Sequence, residues 1–328
     1  MSYEEINKED RQKSEALEIA ARGPEYAKYR ELWYMADKAS FCPDRPLHVD
    51  IELSDACNLR CKMCHHGTSD IAVGGSMDRA LATRLIDECA SIGVYSIKFN
   101  WRGEATLNGY LPEAVKYAKS KGILEVQINT NGLSPLKDIV IRCAESGIDR
   151  IIYSVDGFSK ATYESIRTGG DYDRLIGNIN SLLEWKKKNN SVKPFVRVQM
   201  VRTNINFGEV TEFIKYWKAL VDDVRVSDVT DRGQGGSLSV ADQVAVGRRR
   251  CPQPFQRLTV GRDGNVSACC VDWFQDYIVG DAKRERLIDI WKGEKISRMR
   301  SIQENCEHDK VDICRKCTVK ESYIWKKN

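Results

Sequence analysis

Ser54-Asp55-Ala56-Cys57-Asn58-Leu59-Arg60-Cys61-Lys62-Met63-Cys64 decides the fold of this chain, as much by what precedes it as by what it contains. The segment His48 to Leu53 alternates apolar and polar residues as a strand does, so the three thiols stand in the loop at a strand's C-terminal end. Parallel α/β barrels build their active sites from such loops. Three thiolates at Cys-x3-Cys-x2-Cys spacing also suit a four-iron, four-sulfur cluster, because each iron wants a ligand and three thiolates leave one iron open. A structural zinc site usually closes with four ligands from paired Cys/His knuckles. His65 and His66 follow at once, so composition leaves a zinc knuckle open.

The same run, with the apolar Met63 before its last cysteine, resembles the signature of the radical S-adenosylmethionine (SAM) enzymes. The resemblance implies that Cys57, Cys61 and Cys64 hold a SAM-binding 4Fe-4S cluster whose open iron takes the amino and carboxylate groups of SAM.

Six strand candidates follow in order: His48 to Ser54, Ser96 to Gly103, Glu125 to Asn131, Arg150 to Asp156, Phe195 to Arg202 and Asp222 to Val229. Helical stretches lie near Met77 to Ile92, Leu111 to Ser120, Lys137 to Ser146, Ala161 to Arg167, Arg174 to Asn189 and Glu209 to Leu220. Alternating strand and helix implies α/β architecture with a parallel sheet and right-handed crossovers. Six units rather than eight predict a partial (β/α)6 TIM-like barrel, the core that the resemblance also implies.

Polar residues at the strand ends converge on one face of such a barrel. Asn100-Trp101-Arg102-Gly103-Glu104 resembles the family's Gly-Gly-Glu-Pro element, with Arg102 in place of a glycine and Ala105 in place of the proline. By that resemblance Gly103 and Glu104 receive the SAM amino group, Asn131 and Asp156 close strands three and four beside SAM, and Ser154 lies near its carboxylate or ribose. Arg167 looks like the arginine that pairs with the SAM carboxylate; its fork suits a bidentate contact. Taken singly, Asn-Gly reads as a turn, Ser-x-Asp as a helix cap and a lone arginine as solvated.

A second cysteine set lies toward the C-terminus. Cys251, Cys269, Cys314 and Cys317 can close a four-thiolate site, with Cys314-x2-Cys317 as the diagnostic pair; a zinc ribbon is the plainer alternative. Leu258 to Cys269 reads as a hairpin through a Gly-containing turn, followed by Asp289-Ile290-Trp291-Lys292-Gly293 on a helix. This set resembles the twitch module, the shorter relative of the SPASM extension, which holds one auxiliary 4Fe-4S cluster. It is similar in particular to that of the butirosin-pathway dehydrogenase, which oxidises an aminocyclitol alcohol. That likeness leaves Cys270 and Cys306 unassigned.

At 328 residues and 42% hydrophobic, the chain suits one barrel and a small second module. The boundaries expected are 1–45 for an N-terminal helical extension anchored by Tyr29, Leu32, Trp33 and Met35, 46–245 for the barrel, and 246–328 for the cluster module. Fifty-one basic against 47 acidic residues argue against a dedicated nucleic-acid surface. No apolar run is long enough to span a bilayer and Met1 to Ile6 carries no apolar signal segment, so a cytoplasmic, non-membrane enzyme is expected. The Gly-rich stretch Asp231 to Ser237 follows strand six. Within it Arg232, aligned with an arginine of the butirosin-pathway enzyme, is the candidate catalytic residue, holding a substrate hydroxyl and stabilising an oxyanion.

The resemblance implies reductive cleavage of SAM to a 5'-deoxyadenosyl radical, hydrogen abstraction from a small polar substrate (a sugar or aminocyclitol) and electron transfer to the auxiliary cluster, making the chain an oxidoreductase. An electron donor such as flavodoxin or ferredoxin is the implied partner. Radical epimerisation of a sugar or peptide residue, with Cys270 or Cys306 returning hydrogen, and maturation of a ribosomal peptide are the rival readings. A non-enzymatic metal-binding protein ranks last, since it needs no Glu104, Ser154 and Arg167 around an open iron.

Overall fold

The computed structural model describes residues 3–38, 41–68, 74–136, 138–229, 243–248, 250–317 and 321–325. Six strands, β1 (His48–Ile51), β2 (Ser96–Lys98), β3 (Glu125–Thr130), β4 (Arg150–Ser154), β5 (Phe195–Arg202) and β6 (Asp223–Asp228), pair in parallel in chain order. Helices Arg79–Ser91, Leu111–Ser120, Ile139–Glu145, Tyr172–Lys188 and Val210–Lys218 return the chain between them. Capping starts the first and fourth of these: the Asp78 carboxylate accepts from the Leu81 N–H and that of Asp171 from the Arg174 N–H.

The two faces of the strands differ, one buried and the other in part only half-buried. Val49, Ile51 and Leu53 join the helix residues Leu81, Leu85 and Ile86 in one hydrophobic core. The alternate positions, including His48, Lys98, Gln127, Asn129, Arg197 and Gln199, point into a polar cavity inside the curved sheet. The period-2 alternation of the sequence is therefore the mark of a polar lumen rather than of a solvent-washed face.

Five further strands follow: β7 (Gln243–Arg248), β8 (Arg257–Val260), β9 (Asn265–Ser267), β10 (Ile278–Asp281) and β11 (Glu321–Trp325). The sequence analysis places the segment of β8 in a module hairpin. Its hairpin with β9 forms, yet β8 also lies parallel to β1, His48 opposite Arg257 and Ile51 opposite Val260, as a seventh parallel strand. Pairing across two hundred residues leaves no local periodicity to read. The boundary expected at 245/246 falls inside β7, which pairs antiparallel with β11. Lys137, Arg232 and the rest of the Gly-rich stretch Asp231 to Ser237, and Arg249 lie outside the described residues.

The N-terminal helices Tyr3–Arg22 and Pro24–Lys38 are separated by Gly23, whose φ of 83° an L side chain rarely adopts. Tyr29 packs as expected, Leu32 and Trp33 partly so, whereas Met35 is 43% exposed and Tyr26, unread in the sequence, is buried. This rotation follows from a charge network at the barrel floor. Arg22 donates to Glu18 at 2.9 Å and Glu125 at 2.7 Å, and Arg150 pairs with Glu18 and donates to Tyr26 Oη at 3.0 Å. Among the described residues no helix is long and apolar enough to cross a membrane.

Glu125 is buried, which raises its pKa, but Arg150 and Arg22 outweigh this and hold it below the usual carboxylate range. A lowered pKa contributes stability above the ordinary glutamate value of about 4.3, lost as pH falls through the folded value. Glu125→Gln, which leaves buried cations short of a partner, should cost about 3–5 kcal/mol in urea unfolding at neutral pH, with a smaller difference in acid.

Candidate active site

Cys57, Cys61 and Cys64 follow β1 in a loop that other strand ends hold in place. The Arg60 and Lys62 amides donate to the carbonyls of Thr168 and Ile166 at 2.9 and 3.0 Å. Asn58 donates to the Leu133 carbonyl at 2.9 Å and accepts from Asn131 Nδ2 at 2.8 Å. Asn58 was not singled out in the sequence, although its place between Cys57 and Leu59 was the available signal. Glycine is required twice. A Cβ on Gly103 would meet the Ser54 and Ala56 carbonyl oxygens at 2.5 and 2.6 Å, and one on Gly67 would meet that of Cys61 at 2.3 Å.

Burial pushes the Cys57 thiol up to about 11, with Glu104 and Cys64 adding to it, and the Cys61 thiol up to about 12 against the pull of Arg167. Cys61 feels the charge of both other thiols, so the three share one small space. Such thiols stay protonated until a metal's positive charge draws them into the thiolate form. Among the described residues no three His, Cys, Asp or Glu side chains converge on a point the size of one ion. The two histidines left open for zinc are buried against the aromatic ring of Trp273, at 4.9 Å from His65 and 5.1 Å from His66.

Glu104, 4% exposed, lies against this loop, its N–H donating to the Ala56 carbonyl at 2.8 Å. One carboxylate oxygen accepts from Thr106 N, Thr106 Oγ1 and Thr130 Oγ1; the other accepts from Asn131 N at 2.6 Å. A carboxylate has about four lone-pair sites, so the second oxygen can take one more donor, such as an ammonium. Asn131 also accepts from the Leu133 N–H. Ser154 ends β4 opposite Gln199 of β5. Met63 is half-buried against the hydrophobic core.

Arg167 and Asp156 form a buried pair, Nε and Nη2 at 2.8 and 2.7 Å from one Asp156 oxygen, while the other accepts from the Val201 N–H. Burial opposes the Arg167 charge, and Asp156 with the Cys61 thiol holds it above the usual value. Asp156 thus fixes the Arg167 guanidinium, whose charge reaches Cys57 and Cys61.

Cys251, Cys269, Cys314 and Cys317 line one pocket with Trp273, Phe274 and Gln303. Cys270 and Cys306 are not among its lining residues. The Val271 N–H donates to Cys269 Sγ at 3.3 Å, and Gln303 joins two of the cysteines by donating to Cys314 Sγ and accepting from the Cys251 N–H. Donors aimed at sulfur stabilise thiolate charge. Burial pushes Cys251 up to about 12 and Cys269 well above the usual value.

Arg102, which departs from the family element, joins the two sites. It donates to both oxygens of Glu52 at 2.8 and 2.6 Å and to the Trp273 carbonyl at 3.3 Å, and it sits 4.4 Å over the Trp101 ring. Trp101 Nε1 donates to the Cys270 carbonyl at 2.8 Å. From the β8–β9 turn, Arg262 pairs with Asp55 at 2.5 Å and its N–H donates to Glu52.

A three-thiol loop at the carboxyl ends of parallel strands, joined through Arg102 to a four-thiol pocket, is the equipment of an enzyme that runs SAM-dependent radical chemistry with an auxiliary iron-sulfur centre. The chain belongs to the radical SAM superfamily, whose model matches residues 51–216, and the model of the SPASM iron-sulfur cluster-binding domain matches residues 251–318. Its cofactors are 4Fe-4S clusters and SAM. A relative from Pyrococcus furiosus, the tungsten-containing aldehyde ferredoxin oxidoreductase cofactor-modifying protein, is 24% identical over 81% of this chain and 86% of its own. Matches to GTP 3',8-cyclases cover less than two thirds of those proteins. Among solved structures, BtrN in complex with AdoMet and 2-DOIA superposes with a TM-score of 0.59 at 20% identity, over 83% of this chain and 92% of that one. SuiB of Streptococcus suis bound to precursor peptide SuiA gives 0.67 at 14% identity, over 89% and 74%. At these identities both are likenesses of fold.

Gly103→Ala should displace the cysteine loop, since both clashing atoms are backbone oxygens. Anaerobically reconstituted protein should then fall from about eight to about four irons per chain, the content of two and of one four-iron cluster.

Proposed function

We propose that this chain oxidises an alcohol carbon of a small polar molecule of the sugar or aminocyclitol class to a carbonyl. The observation that carries this reading is the pocket in which the protein itself supplies four thiols, Cys251, Cys269, Cys314 and Cys317. A site ligated wholly by protein has no position for substrate and suits taking up an electron. When bound, SAM and the first cluster supply a 5'-deoxyadenosyl radical that removes a hydrogen atom from the substrate carbon, and the second cluster supplies the acceptor for the electron that leaves as the carbonyl forms.

The chain's residues then have distinct tasks. Cys57, Cys61 and Cys64 hold the first cluster. Glu104 receives the SAM ammonium on its less occupied oxygen, Arg167 faces the SAM carboxylate with Asp156 fixing its orientation, and Gly103, Asn131, Ser154 and Met63 complete that wall. Arg232 holds the substrate hydroxyl and stabilises the oxyanion formed when its proton passes to water. Substrate occupies the polar lumen, a cavity of about 460 Å³ whose floor the N-terminal helices close with Glu18, Tyr26 and Tyr29. A cavity of that volume suits a small molecule.

One observation supports epimerisation as a second reading. The Cys270 thiol lies close enough to Lys98 and Arg257, both lining the lumen, for its charge to bear on theirs. Mass analysis separates the two: oxidation removes two hydrogens per SAM consumed, and epimerisation removes none and takes up a hydrogen from solvent. Under the oxidation reading Cys251→Ser should keep SAM cleavage but lose the ketone, while Cys270→Ser should keep both. A product of unchanged mass would replace oxidation with epimerisation.

Replacing Cys57, Cys61 and Cys64 together by Ala should abolish SAM cleavage while the auxiliary cluster's spectrum persists. Arg167→Ala should weaken SAM binding by about 1.5–3 kcal/mol, the range for hydrogen bonds to charged groups, as measured by equilibrium binding.

A further inference from the structure

The barrel lumen carries more positive charge than its own carboxylates neutralise. At the floor, Glu15, Glu18 and Glu125 meet Arg22, Arg30 and Arg150, cation for anion. The opposite wall is different. Lys98 of β2, Arg197 of β5, Arg225 of β6 and Arg257 of β8 all line the cavity. Among the described residues only two carboxylates pair with them. Asp223 takes both Arg197 and Arg225, at 2.5 and 2.9 Å, and Asp50 takes Arg257 at 3.2 Å. Lys98 makes no hydrogen bond or ion pair among the described residues, and Arg257 Nε is buried without a partner.

Buried charge is costly unless paired, and inward positions of a parallel barrel are ordinarily filled by apolar side chains. Two cations in excess of the paired carboxylates, among the described residues of one cavity, therefore call for a counter-charge. The titration of the wall agrees. Burial and the neighbouring Arg150 push the Arg197 guanidinium down to about 10 despite Asp223, and burial lowers Lys98 although Asp50 is near.

Neutral groups complete the lining. Gln127, Asn129, Gln199 and Ser227 offer donors and acceptors, and Asn129 Oδ1 is buried with no partner among the described residues. Gln199, which lines the lumen, stands opposite Ser154, a proposed SAM contact, in the β4–β5 register. We infer that the substrate is a small hydroxylated molecule bearing an anionic group, a carboxylate or a phosphate, which Lys98, Arg197, Arg225 and Arg257 hold in the lumen while the amides take its hydroxyls. This rests on the reading that the lumen is the substrate site. An unmodified aminocyclitol, a cation near neutral pH, has the wrong charge for this wall.

The test uses the reconstituted two-cluster protein with SAM bound and no reductant, so that binding is measured without turnover. Calorimetry at constant ionic strength compares glucose 6-phosphate, glucuronate and glucose. Tighter binding of glucose 6-phosphate alone assigns the anion as phosphate, of glucuronate alone as carboxylate, and of both as either. Lys98→Met should weaken the favoured anion about ten- to hundredfold, the range of one charge-assisted hydrogen bond, leave SAM affinity unchanged, and raise the melting temperature of the ligand-free protein by relieving repulsion. If neither anion binds tighter than glucose, or if Lys98→Met leaves the preference intact, the inference is overturned. Failure of the oxidation reading would show separately, in the mass of the turnover product.

Discussion

The buried carboxylate of Glu104 is the fixed point on which the cysteine face of this protein is built. Its backbone N–H is bonded to Ala56 beside the first cysteine, and its side chain gathers Thr106, Thr130 and Asn131 from the ends of the next two units. Asn131 in turn grips Asn58 inside the cysteine loop. A loop with three thiols has little regular structure of its own, and its shape comes from these bonds. The contact works only because residue 103 has no side chain.

A second buried carboxylate, Glu52, does for the two modules what Glu104 does for the loop. It receives Arg102 from the end of β2 and the Arg262 amide from the β8–β9 turn, while Asp55 pairs with the Arg262 side chain. Arg102 then reaches the Trp273 carbonyl, and the Trp273 ring covers His65 and His66 just beyond Cys64. The cluster module is thus a continuation of the barrel sheet, clamped beside the three-thiol loop, rather than a tethered appendage. Rigid placement of this kind matters for any electron exchange between two metal sites.

The lumen shows the same logic in reverse. At the floor, charge is paired within the protein and closes the barrel; at the wall, charge is left in excess. Stability favours the first arrangement and binding favours the second, and both occur within one cavity because different helices and strands supply the partners.

The sequence by itself determined the alternation of six strands and helices, because periodicity and helix caps are local, and it brought out the two cysteine sets through their spacing. It also held the polar alternation: His48, Lys98, Gln127, Asn129, Arg197 and Gln199 fall at every second position of parallel strands and line the lumen. The sequence pattern puts Met35 inside and gives no sign of Tyr26, because a one-dimensional pattern does not show which helix face the Glu18–Arg22–Glu125–Arg150 network turns inward. Only the tertiary structure decided that β8 joins β1, that β7 pairs with β11, that Arg167 shares its fork with Asp156, and that Arg102 answers Glu52. Each is a meeting of groups far apart in the chain, whose energy depends on distance and burial, and those are properties that residue order does not carry.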